Sequence, residues 1–148
     1  MKFIVDANIV FNGILNSNGK IGYLLINSKD IFDFIAPEFL RYEIKAKYPK
    51  LQRISGLTNE QLVEADYQIC KEINFISEEQ INHIFWIEAH DLVYNIDPKD
   101  IQYVAYAKQF KCKVWSGDKK LSKGLFEKGF YEVISTDELF NLRNTNLK

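Results

Sequence analysis

The feature that most constrains the fold of this chain is a regular alternation of short apolar runs with segments of helical periodicity. The first run, KFIVD at residues 2–6, is β-branched and aromatic and ends in an acid, which is typical of a buried strand. Similar runs recur at residues 31–36, 74–76, 113–116 and 131–134. Because strands that alternate with helices pair in parallel and are covered on both faces, the pattern predicts an α/β fold with a parallel sheet of four to five strands.

Residues that start and stop helices divide the segments between these runs. Helices are predicted at residues 9–15, 20–28, 37–48, 58–72, 78–94, 97–110 and 122–128, with a last one from residue 135. We expect Pro37 to be the first helical residue after the second strand, because proline fits that position. Three helix starts carry the pattern of a capping box, in which serine or threonine precedes glutamine or glutamate by three residues: Thr58–Gln61, Ser77–Gln80 and Ser135–Glu138.

Length and composition point to one ordinary domain. The chain has 148 residues and is 47% hydrophobic, and a domain of this size buries about 70% of its unfolded surface without help from disulfides. We expect a single domain at residues 1–142 and a short tail at residues 143–148. The two cysteines, Cys70 and Cys112, favour a reducing compartment over a disulfide scaffold.

The first fifteen residues and the overall charge limit the partners of the chain. Asp6, Asn8 and Asn12 interrupt the early apolar run, which makes it a poor signal peptide and a poor membrane span. We therefore expect a cytoplasmic protein with no membrane partner. The net charge of −1 provides no overall basic field, so binding of a nucleic acid needs local lysines, a metal ion or a partner protein.

Four acids fall where a parallel sheet gathers functional groups, at the carboxyl ends of its strands. Asp6 closes the first strand, and Asp118 lies two residues after the fourth. Asp100 is near the amino end of the helix before the fourth strand. Glu43 lies about 9 Å along the helix after the second strand, and its side chain can lean back toward the same edge. We expect these four carboxylates to share one site.

Carboxylates that share one site repel one another, so either their pKa values rise or a cation neutralises them. Hard oxygen ligands favour Mg²⁺ or Mn²⁺ over zinc or copper. Such a site can lower the pKa of bound water and stabilise an in-line displacement at a phosphodiester. The placement of the acids therefore indicates a physical route to metal-dependent nuclease chemistry.

Each acid also has a purely structural explanation that local sequence leaves open. Asp6 can end a strand and cap the next helix, and Asp118 can be a turn residue. Glu43 can be simply solvated, and Glu38 competes with it on the same helix. Asp97 is best explained as a helix N-cap with proline behind it. For residue 100, which would be the third residue of that helix, the favourable helix dipole would explain an acid equally well.

Three segments, in this order along the chain, carry a combined signature: FIVDANIVFNGIL, PEFLRYEI and DPKDIQYVAYAKQFKCKVWSGDKKL. Together they resemble the PIN-domain family over residues 3–121. Asp6 and Asn8 match its Asp-x-Asn motif after the first strand, and Glu43 matches the glutamate of its next helix. Asp100 precedes an alanine-rich helix as in its longest signature, and the tripeptide SGD matches its Thr/Ser-x-Asp turn.

This resemblance implies a three-layer α/β/α fold with strand order 3-2-1-4-5 and cleavage of RNA by water activated at Mg²⁺ or Mn²⁺. The metal ligands and catalytic groups that it implies are four: Asp6, Glu43, Asp100 and Asp118. It gives Asn8 and Ser116 auxiliary roles in orienting water, phosphate or a carboxylate, and it makes Asp97 an auxiliary acid. Many small members are VapC-like toxins held inactive by an antitoxin, and many form homodimers, so both partners are expected here.

Three lysines that follow the last of these acids are candidates for binding the RNA backbone: Lys119, Lys120 and Lys123. The alternative is that they form a solvated helix face.

Two functions other than a ribonuclease are also open. A non-catalytic RNA- or protein-binding module on the same fold predicts no cleavage. A phosphatase of the haloacid dehalogenase type needs Asp-x-Asp after the first strand, and Asn8 stands in place of the second aspartate.

Overall fold

The computed structural model describes residues 1–146. Within them, one parallel sheet has the strand order β3-β2-β1-β4-β5. Its strands are β1 (Lys2–Val5), β2 (Asp33–Pro37), β3 (Ile73–Ile76), β4 (Lys113–Trp115) and β5 (Val133–Ile134). This confirms the α/β class and the order 3-2-1-4-5. The order reverses between β1 and β4, which is where ligands bind in sheets of this kind.

Helices cover both faces of the sheet and complete three layers. One face carries α1 (Ala7–Leu15), α2 (Lys20–Asn27), α3 (Phe39–Ala46), α4 (Tyr48–Ser55), α5 (Asn59–Cys70) and α9 (Thr136–Asn146). The other carries α6 (His83–Val93), α7 (Ile101–Phe110) and α8 (Lys119–Glu127). Because side chains alternate along a strand, Phe3 and Val5 enter the first core, while Ile4 enters the second.

The prediction that Pro37 opens a helix through residue 48 is wrong. Pro37 is the last residue of β2 and pairs with Ile76 of β3, and α3 begins only at Phe39. The helix then breaks at Lys47, because Pro49 lies in the first turn of a separate helix, α4. Proline lacks the N–H that a continuous helix needs, whereas a first helical turn tolerates it.

The capping box predicted at Ser77 is also wrong as a helix start. The Ser77 hydroxyl accepts a hydrogen bond from the amide of Glu79 in a short 3₁₀ turn, Glu78–Gln80. The chain then becomes extended at buried Ile81, and α6 begins at His83 with Asn82 as its cap. The other two boxes are confirmed, since both show the reciprocal hydrogen bonds: Thr58–Gln61 and Ser135–Glu138.

The last helix continues past the domain boundary expected at residue 142. The guanidinium of Arg143 is buried and donates to Ser28 Oγ at 3.2 Å and to the carbonyl oxygen of Asn27 at 3.0 Å. These bonds attach the end of α9 to the end of α2. Residues 147–148 of the expected tail lie outside the described residues. No helix in the described part of the chain combines the length and apolar character that crossing a membrane requires.

Candidate functional site

A cavity of about 530 Å³ opens at the carboxyl edge of the sheet, beside the reversal between β1 and β4. We call it the acidic cavity. Its acids come from four separate parts of the chain: Asp6, Glu43, Asp97, Asp100 and Asp118. The other residues that line it lie in α1, α3 and α7 or next to their ends: Ala7, Asn8, Phe11, Phe39, Ala46, Lys47, Lys99, Gln102 and Tyr103. Thus all four acids predicted to share a site lie around one cavity.

Asp6 and Asp118 reach this cavity because they follow neighbouring strands. Val5 of β1 pairs with Trp115 of β4, so the two strands end at the same level of the sheet. Each aspartate then caps the helix that follows: Asp6 Oδ1 accepts from the amide of Ile9 at 3.0 Å, and Asp118 Oδ1 accepts from Leu121 at 3.1 Å. The cap uses one oxygen of each carboxylate and leaves the second for other partners.

Burial changes the proton affinity of Asp6. Its side chain is almost wholly buried, and desolvation raises the pKa of its carboxyl above the ordinary value. The nearby charge of Asp118 acts in the same direction, while the Ser116 hydroxyl and the amide of Ile9 partly offset the rise in pKa. A cation placed beside this carboxylate would therefore remove a destabilising interaction.

Asp100 has no capping bond, although it stands at the start of α7. Asp97 makes the local cap instead, because its Oδ1 accepts from the amide of Lys99 at 3.0 Å. The Oδ2 atom of Asp100 is buried without a hydrogen-bond partner. Desolvation, followed by the charges of Asp97, Asp6 and Asp118, raises the pKa of Asp100 to about 7. Such a buried acceptor requires a partner that the described protein atoms do not supply.

Helix α3 supplies the remaining wall. Glu43 is half-buried and lines the acidic cavity, whereas Glu38 is exposed and lies outside its lining. Phe39 and Lys47 stand one turn before and one turn after Glu43, and both also line the cavity. Lys47 follows Glu43 in a group of lysines that the sequence offers as a second wall of the site, whereas Phe39 was not predicted, although its spacing of four residues from Glu43 places it on the same helix face.

The auxiliary residues separate into two groups. Asn8 and Asp97 line the acidic cavity. Ser116 is buried behind it, and its Oγ accepts from the amide of Asp118 at 3.1 Å, so it supports the turn that holds this acid. The three lysines predicted for RNA binding are exposed on α8 and do not line the cavity: Lys119, Lys120 and Lys123. Lys47 and Lys99 line it instead.

The donor set suits a hard divalent ion that keeps part of its water. In the described residues, no three Asp, Glu, His or Cys side chains are close enough to enclose a metal ion as they are oriented here. Mg²⁺, however, is usually held by only one or two carboxylates and several waters. An open cavity with carboxylate oxygens and one unpartnered buried oxygen fits such an ion, and it does not fit a closed four-ligand zinc site.

The chain matches a known protein family. The family model described as the PIN domain matches residues 4–137, which is most of the chain and includes every acid of the cavity. No curated protein sequence matches the chain significantly.

Proposed function

The chain belongs to the PIN-domain family, a family of nuclease-type fold, and from this we propose that it is an endoribonuclease that depends on Mg²⁺ or Mn²⁺. One observation carries the proposal. Carboxylates from the first strand to the turn after the fourth line a single cavity, and one of their oxygens is buried without a partner. The proposed reaction is hydrolysis of an RNA phosphodiester by water.

Four residues would hold the ion in this proposal: Asp6, Glu43, Asp100 and Asp118. When bound, the ion supplies a lowered pKa for water and neutralises charge on the phosphate. Asp6 and Asp118 enter the reaction with fixed positions, because each is anchored to the backbone of its own helix. Such anchoring reduces the reorganisation needed when substrate binds.

Other residues of the cavity bind and orient the substrate. Lys47 and Lys99 place positive charge among the acids, where a phosphate needs it. The exposed amide of Asn8 can donate to a phosphate oxygen or to water. Tyr103 and Phe11 form an apolar part of the wall, and this strengthens electrostatic interactions by excluding water.

Replacing Asp6 or Asp118 with asparagine tests the chemistry without removing the helix cap. Asparagine keeps the oxygen that accepts the amide hydrogen bond, but it loses the charge that attracts the cation. We expect each variant to lose at least about a hundredfold in cleavage rate, because general acid–base and metal assistance contribute on that order. The measurement is cleavage of a labelled single-stranded RNA in Mg²⁺ or Mn²⁺, stopped by chelator.

Asp30→Asn is the matched control, because Asp30 is an exposed acid in the loop before β2, at the opposite edge of the sheet. It should cleave like the unaltered protein. Undiminished cleavage by both site variants would refute the assignment. Folded protein without any cleavage would favour the non-catalytic binding module, and turnover of a phosphomonoester through a covalent aspartyl-phosphate would favour the phosphatase.

The finer part of the proposal concerns biological role. The ribonuclease acts as the toxin of a toxin–antitoxin pair in the cytoplasm, it forms a homodimer, and an antitoxin protein holds it inactive. The support for this part is the resemblance of its three sequence segments to the PIN-domain family, many small members of which are VapC-like toxins.

A further inference from the structure

Helix α3 separates the acidic cavity from a second cleft, which we call the cationic cleft. This cleft has a volume of about 530 Å³ and is lined by three basic side chains: Arg41, Lys45 and Lys71. None of the three forms an ion pair with a described acid. The one acid in its described lining is Asp66, which accepts a hydrogen bond from Tyr48. The cleft therefore carries an excess of positive charge.

The two cavities lie on opposite sides of one helix. Glu43 and Lys47 line the acidic cavity, while Arg41 and Lys45 line the cationic cleft. At about 100° per residue, these pairs are roughly half a turn apart, so about one helix diameter, 10–12 Å, separates the cavities. A ligand that occupies both must cross the exposed ridge of α3.

Two large aromatic side chains occupy that ridge. Phe39, at the rim of the acidic cavity, is 52% exposed, and Tyr42 is 67% exposed. Their ring centroids are 6.5 Å apart and the rings are tilted by 42°. The carboxylate of Glu78 accepts from the amide of Phe39 at 2.8 Å and so anchors the start of the helix. Exposed aromatic faces beside basic side chains are the features with which proteins bind unpaired bases.

Two of the three basic groups are held in position by aromatic rings. The guanidinium of Arg41 lies 4.7 Å from the ring centroid of Phe75, and the ammonium of Lys71 lies 5.6 Å from that of Tyr67. Such cation–π contacts restrict the side chains without neutralising them. The charge therefore remains available to an anionic ligand.

We propose that a single strand of RNA crosses α3, from the acidic cavity to the cationic cleft. The scissile phosphate lies among the acids, unpaired bases stack on Phe39 and Tyr42, and the backbone of neighbouring nucleotides binds Arg41, Lys45 and Lys71. Duplex RNA is excluded from this path, because its bases are stacked inside the helix and cannot reach the rings. This inference rests on the proposed ribonuclease function and names the form of substrate that the site accepts.

Binding of a fluorescein-labelled oligoribonucleotide, followed by anisotropy in EDTA, tests the path separately from cleavage. Phe39→Ala and Tyr42→Ala should each raise Kd for the single strand about fivefold or more, the effect of losing one base–aromatic stack. Neither should change Kd for an abasic strand of equal length. Arg41→Ala and Lys45→Ala should weaken both strands, and each should reduce the slope of log K against log salt by about 0.7.

Tyr131→Ala and Lys29→Ala are the matched controls, because both residues are exposed but lie away from both cavities. They should bind RNA like the unaltered protein. Equal losses for the normal and abasic strands in the aromatic variants would overturn the stacking path, as would an unchanged Kd or a lack of RNA binding by the unaltered protein. If the variants change Kd as expected but the unaltered protein does not cleave RNA in Mg²⁺, the ribonuclease function is contradicted and the path is still supported.

Discussion

At the scale of single residues, Asp100 has the least satisfied surroundings in the acidic cavity. Its Oδ2 has no hydrogen-bond partner, and its carboxyl faces the charges of Asp97, Asp6 and Asp118. Burial and these like charges raise its pKa from 3.8 to about 7. An acid held in this state destabilises the folded chain when it ionises, and this provides a measurable signature of the site.

Asp100→Asn should make the protein more stable at neutral pH in EDTA. Between the unfolded pKa near 4 and the folded value of about 7, the folded state binds more protons, so stability of the unaltered protein falls as pH rises through this range. Because Asp100 is partly accessible to solvent, we discount the shift and expect a gain of about 1–2 kcal/mol at pH 7.5. The difference should vanish near pH 4.

Urea unfolding at a series of pH values measures this difference, and Asp30→Asn provides the comparison of an exposed acid. If the stability of the unaltered protein and that of Asp100→Asn change in parallel with pH, ionisation of Asp100 does not destabilise the folded state.

Residue roles were predictable where they depend on near neighbours in sequence. The cap made by Asp97 followed from the proline behind it and is confirmed. Local sequence left Asp100 undecided, because its burial, and the charges of Asp6 and Asp118 that add to that of neighbouring Asp97, arise only when the fold brings distant strands together. Phe39 and Tyr42 were missed for a related reason, since an aromatic residue in a helix indicates a core position until its exposure is known.

At the scale of elements, helix starts depend on caps that use side chains close in sequence. The box at the start of α5 is complete. The backbone amide of Gln61 donates to Thr58 Oγ1, and the side-chain oxygen of Gln61 accepts from the backbone amide of Thr58. This helix buries Leu62 and Ile69 in the first core. Loss of the cap would therefore destabilise a helix whose packing against the sheet contributes to the folded state.

Thr58→Ala should lower the free energy of unfolding by about 1 kcal/mol, because it removes the oxygen that satisfies a helix amide. Thr58→Ser keeps the hydroxyl and should retain most of that stability. Urea unfolding monitored by circular dichroism measures both. A loss of equal size in the serine variant would mean that the methyl group, and not the cap, matters at this position.

Elements were mispredicted where a local sequence signal competed with a contact to a distant part of the chain. Ser77–Gln80 has the sequence of a box, but buried Ile81 pulls the chain into an extended conformation and delays the helix to His83. At Pro37, pairing with β3 outweighs the preference of proline for a helix start. In both cases a contact with the rest of the molecule decides the outcome, and such contacts are absent from a local pattern.

At the scale of the whole molecule, strand order creates the acidic cavity. The parallel sheet places the ends of β1 and β4 side by side, and α3 and α7 close the cavity around them. Alternation of strands and helices was sufficient to predict the class of fold and the edge at which the acids meet. The order of the strands came from family resemblance, which also decided between Glu43 and its competitor Glu38, because spacing along the chain settles neither.

Mg²⁺ or Mn²⁺ should raise the melting temperature of the protein, since an ion that binds only the folded state stabilises it. At tenfold excess over Kd the gain is about 1.4 kcal/mol, or about 3–6 °C for a chain of this size. The Asp6→Asn, Asp118→Asn double variant should lose this shift, and Asp100→Asn should reduce it. Differential scanning fluorimetry with and without the ion measures the effect.

Asp30→Asn should keep the full shift. A shift of equal size in the double variant would place the binding of the ion elsewhere on the molecule.

Asp6 and Asp118 each begin a helix as well as facing the acidic cavity. A relative that has lost nuclease activity is therefore still restricted in the residues that it can carry at these two positions. Asparagine, serine or threonine would preserve the architecture, whereas an aliphatic replacement would leave a helix amide without an acceptor. Inactive relatives of such a protein should therefore retain short polar residues at the two positions that have lost the carboxylate.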